Sequence, residues 1–250
     1  MFKQLVTPAA LSLTLAITGC STLTNQSIDE PADEKAFNSD IISPNLPFKA
    51  QGNEPAWQLT VTETNLELSQ GYEQKSQQFS SVELLQAGKV VITAGNKKEL
   101  NAALTPSICH DSMTGMPYPW QVEVTVKGKT LQGCGGDPLE LLLGEWQIED
   151  INGEGIIDNS HLTITFDDQG QVYGSATCNR YGSSYELTGE GLSFGHSLAT
   201  KMACPEALMK QEQKFLETFN EISQFDINEQ GALILKGHNG KTLRGYLLGQ

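Results

Sequence analysis

Arginine is nearly missing from this sequence. The 250-residue chain has two, Arg180 and Arg244, among 16 basic residues set against 30 carboxylates, and its formal net charge is −14. Such a surface repels phosphate backbones and gains no attraction to anionic lipid, so nucleic acid is not an expected partner. Long hydrophobic runs are missing too. The apolar stretch Leu11–Ile17 is too short to span a bilayer. Metal-ligand spacing is also lacking: His110, His161, His196 and His238 are scattered, with no HxxxH or CxxC. The glycine-rich "GCGGD" has neither a strand–GxGxxG–helix context nor a P-loop lysine. No metal and no cofactor is expected.

What is present begins at the N-terminus. Lys3 supplies a short positive region, the apolar run follows, and Thr18-Gly19 precede Cys20. This order reads as a secretory signal, and "ITGC" resembles the bacterial lipobox, in which the cysteine is acylated and becomes the mature N-terminus. Residues 1–19 are therefore expected to be a lipoprotein signal peptide and Cys20 the lipidation site. Several acyl chains on one residue anchor firmly where one chain does not. Ser21 fits outer-membrane delivery. The expectation is an envelope protein anchored to a membrane through its N-terminal lipid, with the folded part in the periplasm.

Export sets how the other cysteines are read. Cys109, Cys134, Cys178 and Cys204 would meet an oxidising compartment. Four cysteines allow three pairings. Their order favours Cys109–Cys134 and Cys178–Cys204, each closing a loop of about 25 residues, worth roughly 3 kcal/mol in the chain-entropy model.

Residues 20–47 follow the signal as the lipidated cysteine and a polar, acidic tether. Residues 48–137 carry strand-like alternation in "AWQLTV", "NLELS", "KVVITAG" and "WQVEVTV", and "KGKTLQG" turns at Gly128. "KKELNAAL" is a candidate short helix. Residues 138–250 read as strands in "GEWQIEDI", "HLTITFD", "GQVYGSA", "SSYELTG" and "GLSFG". A helix then runs through "CPEALMKQEQKFLETFNEI", with Leu208, Phe215, Leu216, Phe219 and Ile222 at helical spacing and Pro205 in its first turn. "QFDINE", "ALILKG" and "TLRGYLL" return to strands. "LELLLG" is a strand or a short core segment. The fold class is mainly β (α+β), in two small domains. The C-terminal one is a curved antiparallel sheet or partly closed barrel with one packed helix.

The segments "GEWQIEDINGEGI", "ITFDDQGQVYGSATCNRYGSSYEL", "LSFGHSLATKMACP" and "ALILKGHNGKTLRGYLL" together resemble a META domain, the family that includes the HslJ heat-shock protein. The resemblance implies a small β-rich fold with a helix, an association with envelope stress, and a link to novobiocin resistance in the heat-shock member. It implies no established catalytic activity. "FKAQGNEPAWQL", "CHDSMTGMPYP" and "LQGCGG" resemble a bacterial envelope domain often found upstream of META domains. Members of that family commonly carry an aromatic where this chain has Ala56.

Three stretches invite functional readings. "SATCNRYGSSY" (175–185) sets Cys178 beside Asn179, Arg180 and Tyr181; with no adjacent histidine, Cys178 reads as a staple to Cys204 rather than a nucleophile. "CHDSM" (109–113) suggests a triad, but neighbours on a strand point to opposite faces. "GNEP" (52–55) reads as a tight turn into the Trp57 strand, or as a polar rim beside an aromatic contact. Candidate contact residues are Arg180, Tyr181, Trp57 and His110. The expected function is non-enzymatic: an outer-membrane lipoprotein of the envelope-stress type that binds a protein, cell-wall or small-molecule partner. The alternatives are an enzyme acting on envelope polymers through Glu54, His110 and Asp111, which must then converge in one cleft, and a lysozyme-inhibitor-like binder drawn by charge.

Overall fold

A computed structural model describes residues 43–249 apart from 72, 74, 81 and 87–89. The signal peptide, Cys20 and most of the tether lie outside the described residues. At the tether's end Pro44 is buried and the Asn45 side-chain amide donates to Glu140 at 2.6 Å.

The first sheet is built from β1 (Phe48–Asn53), β2 (Ala56–Val61), β3 (Asn65–Gln70), β4 (Lys75–Ser80), β5 (Glu83–Gln86), β6 (Val90–Ala94), β7 (Leu100–His110), β8 (Pro117–Val126) and β9 (Lys129–Gly135). The spatial order is β4-β3-β2-β1-β9-β8-β7-β6-β5, all antiparallel, and the sheet curls into a half-barrel. Period-2 alternation drives it. Trp57, Leu59 and Val61 face one core with their partners Gly52, Ala50 and Phe48, while Gln58 and Lys49 face out.

The second sheet holds β10 (Gly144–Ile151), β11 (Glu154–Gly155), β12 (Thr163–Phe166), β13 (Gln171–Ser175), β14 (Arg180–Thr188), β15 (Gly191–Phe194), β16 (Leu198–Ala199), β17 (Ile222–Ile227), β18 (Leu233–Gly237) and β19 (Thr242–Leu247). The main path runs β15-β14-β13-β12-β10-β19-β18-β17. Its end strands approach each other, with Gly191 against the Ser223 carbonyl, so the sheet is a nearly closed barrel. Helix α1 (Glu206–Phe219) lies between β16 and β17 in sequence and turns Phe215 and Phe219 into the barrel core.

Two local expectations need correction, and for "LELLLG" the structure selects the short core segment over the strand. "KKELNAAL" forms no helix: Leu100, Ala102 and Leu104 alternate as fully buried side chains of β7, paired with β6 on one side and β8 on the other. Lys, Glu, Ala and Leu favour helix in isolation, but burial at every second position outweighs that preference. "LELLLG" contributes one 3₁₀ turn, Pro138–Leu141, capped by the Asp137 side chain, and Leu141 and Leu142 enter the second core. Pro205 stands just before α1 in an extended conformation, and Ile222 belongs to β17 beyond the helix end.

The two sheets belong to one compact unit and meet at the tip of the β7–β8 hairpin. Met116 is a member of the second core, and Ile108 and Tyr118 pack against it. A stretch that reads as catalytic in sequence is thus the part of the first sheet inserted into the second.

Candidate functional site

The hairpin tip is organised by Asp111. Its Oδ1 accepts from the backbone N–H groups of Met113 and Thr114, both at 2.9 Å, and from the Thr114 hydroxyl at 3.1 Å. Its Oδ2 accepts from the Asn53 amide at 3.1 Å and the Gln51 amide at 3.4 Å. Burial acts to raise this carboxyl's pKa. The hydrogen bonds from Thr114, Asn53 and Met113 together outweigh that and hold it below the usual carboxylate range. Gln51 also donates to the Tyr118 hydroxyl at 3.2 Å. Burial, with Asp111 and Asp137 nearby, pushes the Tyr118 phenol pKa up.

His110 takes the other direction. Its Nε2 lies 2.7 Å from Asp226 Oδ1 on β17, and Lys236 on β18 donates to Asp226 Oδ2 at 2.7 Å. The Asp226 pKa is again lowered: burial raises it, but the hydrogen bonds from His110 and Lys236 prevail. His110 therefore ties β7 to the second sheet while Asp111 ties the hairpin to β1. Glu54 sits exposed in the β1–β2 turn. His110 and Asp111 hold different partners on different elements, an arrangement unlike a triad, in which each side chain must serve the next.

Trp57 is corrected from contact residue to core. It is 3% exposed, and its indole Nε1 donates to the Gln132 carbonyl at 3.1 Å. Gly52 and Gly133 make this seat possible. A Cβ on Gly52 would enter the indole, and one on Gly133 would run into the Gln51 carbonyl. Tyr181 is corrected in the same way. It is 4% exposed, its ring meets Phe215 and Phe219 with centroids 5.2 Å apart in each case, and its hydroxyl donates to the Thr163 carbonyl at 3.1 Å. Burial pushes its pKa well up. In both cases strand alternation turned the ring inward, and an aromatic with one satisfied polar atom is a stable core residue.

The cysteines pair as their order suggested. Cys109 and Cys134 have Cα atoms 5.5 Å apart, and Cys178 and Cys204 have theirs 6.3 Å apart, with each sulfur pair at bonding distance. The first pair links β7 to β9 across β8. The second links the β13–β14 loop to the residue before Pro205, at the entry to α1.

Beside it stands a polar hub that the sequence did not reveal. Asn179 is 4% exposed. Its amide donates to Glu212 Oε1 at 2.9 Å, its backbone N–H donates to Glu212 Oε2 at 2.9 Å, and its Oδ1 accepts from Met202 N at 2.7 Å and the Thr200 hydroxyl at 2.8 Å. One turn of α1 is thereby fastened to the loop. Thr177 in that loop has φ +81°, a conformation a β-branched residue rarely adopts. The Gln211 amide donates to its hydroxyl at 2.9 Å and also to Ser160 at 2.9 Å.

Arg180 behaves differently. It opens β14, is exposed, and its guanidinium has no hydrogen-bond or ion-pair partner among the described residues; Arg244 lies 3.8 Å from Asp150. It borders a groove of about 520 Å³ across β10, β12, β13 and β14. Among the described residues no three His, Cys, Asp or Glu side chains gather as metal ligands would, and no helix is long and apolar enough to cross a membrane.

Residues 139–247 match the META domain family model. Among solved structures, an NMR structure of a protein from Burkholderia xenovorans is 25% identical with a TM-score of 0.38, covering 44% of this chain and 86% of its own. A crystal structure of a DUF4847 family protein from Bacteroides vulgatus is 15% identical with a TM-score of 0.32, covering 44% of this chain and 94% of its own. No curated protein matches the chain.

Proposed function

We propose, from the premise that residues 139–247 form a META domain, that the chain is a lipid-anchored envelope protein that acts by binding and not by catalysis. The observation that carries this reading is the state of its reactive side chains. Every cysteine among the described residues is paired at disulfide distance, His110 is held by Asp226, and Asp111 accepts five hydrogen bonds within the fold. Paired thiols fit an oxidising compartment, in keeping with the signal-like start and Cys20. Acylation of Cys20, with Ser21 after it, would place the folded part in the periplasm on the outer membrane. The stress association of the META family, including the novobiocin link of the heat-shock member, directs the binding role toward envelope stress.

The test has two arms. Cells supplied with labelled palmitate should label the wild-type chain and leave Cys20→Ala unlabelled. The purified chain should turn over no member of an ester, peptide and glycan panel. Turnover that is abolished by His110→Ala or Asp111→Ala would overturn the binding reading.

A further inference from the structure

The hydrogen-bond partners of Asp111, Asn179 and Gln211 engage them within the fold. The groove on the outer face of the second barrel is different. There Arg180, Tyr173, His161, Thr165 and Glu145 line one face, and their side chains have no partner among the described residues.

The sheet register explains how they are arranged. Tyr173 on β13 lies opposite Gly182 on β14 and Thr165 on β12, and Thr165 lies opposite Glu145 on β10. Arg180 lies opposite Ser175, two positions along β13 from Tyr173. Because Gly182 has no side chain, nothing on β14 covers the Tyr173 ring, which stays 48% exposed in the middle of the face. On one side of the ring is a free guanidinium. On the other is the Glu145 carboxylate, three strand spacings from Arg180 or roughly 14 Å across the sheet.

We infer that this groove binds an oligosaccharide that carries a carboxylate, the chemistry of an acidic cell-wall glycan. Each feature of the face has a place in that ligand. The flat apolar face of an exposed tyrosine packs against the C–H face of a sugar ring, while its hydroxyl reaches the ring's polar edge. The guanidinium takes the ligand's carboxylate, a fork that matches such a group in two places. Glu145 and Thr165 accept and exchange hydrogen bonds with hydroxyls at the far end. The span exceeds a single sugar ring and suits a chain of them. Charge argues for the same ligand: in a protein of net charge −14, an unpaired arginine on a face of hydroxyls is a local exception that an anion would use. The groove is broad and open, as polymer sites are; Trp57 lies outside its lining, and Tyr181, which borders it, is only 4% exposed.

This inference rests on the binding reading above and names its ligand class, yet it can fail alone: the chain would remain acylated, crosslinked and without turnover. The test is ligand-observed saturation-transfer NMR on the full mature chain in detergent. The probes are the disaccharide of N-acetylglucosamine and N-acetylmuramic acid, and diacetylchitobiose, which differs by lacking the lactyl ether and its carboxylate. The acidic disaccharide should bind more tightly than the neutral one. Arg180→Gln should weaken the acidic probe about fivefold, to the level of the neutral one, as expected for loss of one exposed charge pair. Tyr173→Ala should remove the signal from both. Both side chains are exposed, so unchanged thermal melts would show that the variants are folded. Absent transfer to either probe, equal affinity for the two, or indifference to both substitutions would overturn the inference. So would equal binding of a sugar-free acidic peptide that survives Tyr173→Ala, since the groove would then read anions or protein alone.

Discussion

His110 and Asp226 stand 116 positions apart in sequence and 2.7 Å apart in the fold. Their contact joins the hairpin tip of the first sheet to β17 of the second, and Lys236 completes the cluster on the far oxygen of Asp226. With Met116, Ile108 and Tyr118 packed into the second core beside it, the "CHDSMTGMPYP" stretch is best understood as the joint between the two sheets.

That joint makes stability acid-sensitive. The pKa values of Asp111 and Asp226 are both lowered in the folded chain, although burial alone would raise them. A carboxyl with a depressed folded pKa contributes stability that is present above its unfolded value, about 3.9, and lost as pH falls through the folded one. Urea midpoints should therefore hold steady near neutrality and fall as pH drops below about 4. Asp226→Asn should flatten part of that acid limb. A midpoint that rose on acidification would contradict the assignment.

The Asn179 hub should be costly to break. Asn179→Ala removes the side-chain amide that donates to the half-buried Glu212 carboxylate and the acceptor of Met202 N and the Thr200 hydroxyl, for an expected loss of about 2 to 4 kcal/mol in chemical denaturation. Asn179→Asp should be at least as damaging, because it sets a second carboxylate against Glu212. Losses under about 0.5 kcal/mol would mean that the loop and α1 are held by other contacts.

Removing the Cys178–Cys204 pair as Cys178→Ala/Cys204→Ala should cost about 3 kcal/mol, since it opens a loop with a sequence separation of 26. For a chain of this size that corresponds to a Tm lower by roughly 6 to 12 °C. Reduction of the wild type should lower the Tm at least as far, because it also opens Cys109–Cys134, and the double variant should be insensitive to reductant at this site.

Gly133→Ala tests the seat of Trp57. The added methyl would collide with the Gln51 carbonyl and the indole, and backbone on a neighbouring strand cannot move aside cheaply. Insoluble expression, or a Tm at least 10 °C lower, is expected, where an ordinary exposed glycine change such as Gly189→Ala should have little effect; the space around Gly189 is open.

Much of this fold was legible in the sequence because a half-buried strand writes its burial as alternation. Trp57, Leu59 and Val61 announce β2, and the change to helical spacing at Phe215 and Phe219 announces α1. The disulfides followed from cysteine order. β7 misled because its residues have helical preferences and only its flanking strands reveal why Ala102 must be buried. Trp57 and Tyr181 misled because local spacing cannot say whether an aromatic beside glycines faces out or in; for Trp57 the glycines were the signal, since Gly52 and Gly133 leave room for its ring. The Asn179–Glu212 and His110–Asp226 contacts join segments 33 and 116 positions apart, and no local pattern encodes such a meeting.

The most direct measurement of the central claim is the intact mass of the chain extracted from membranes without reductant. The account predicts a chain that begins at an acylated Cys20 and resists thiol labelling, its four other cysteines held in Cys109–Cys134 and Cys178–Cys204. A chain that keeps its first nineteen residues, carries no acyl group, or labels at Cys178 without reductant would contradict it.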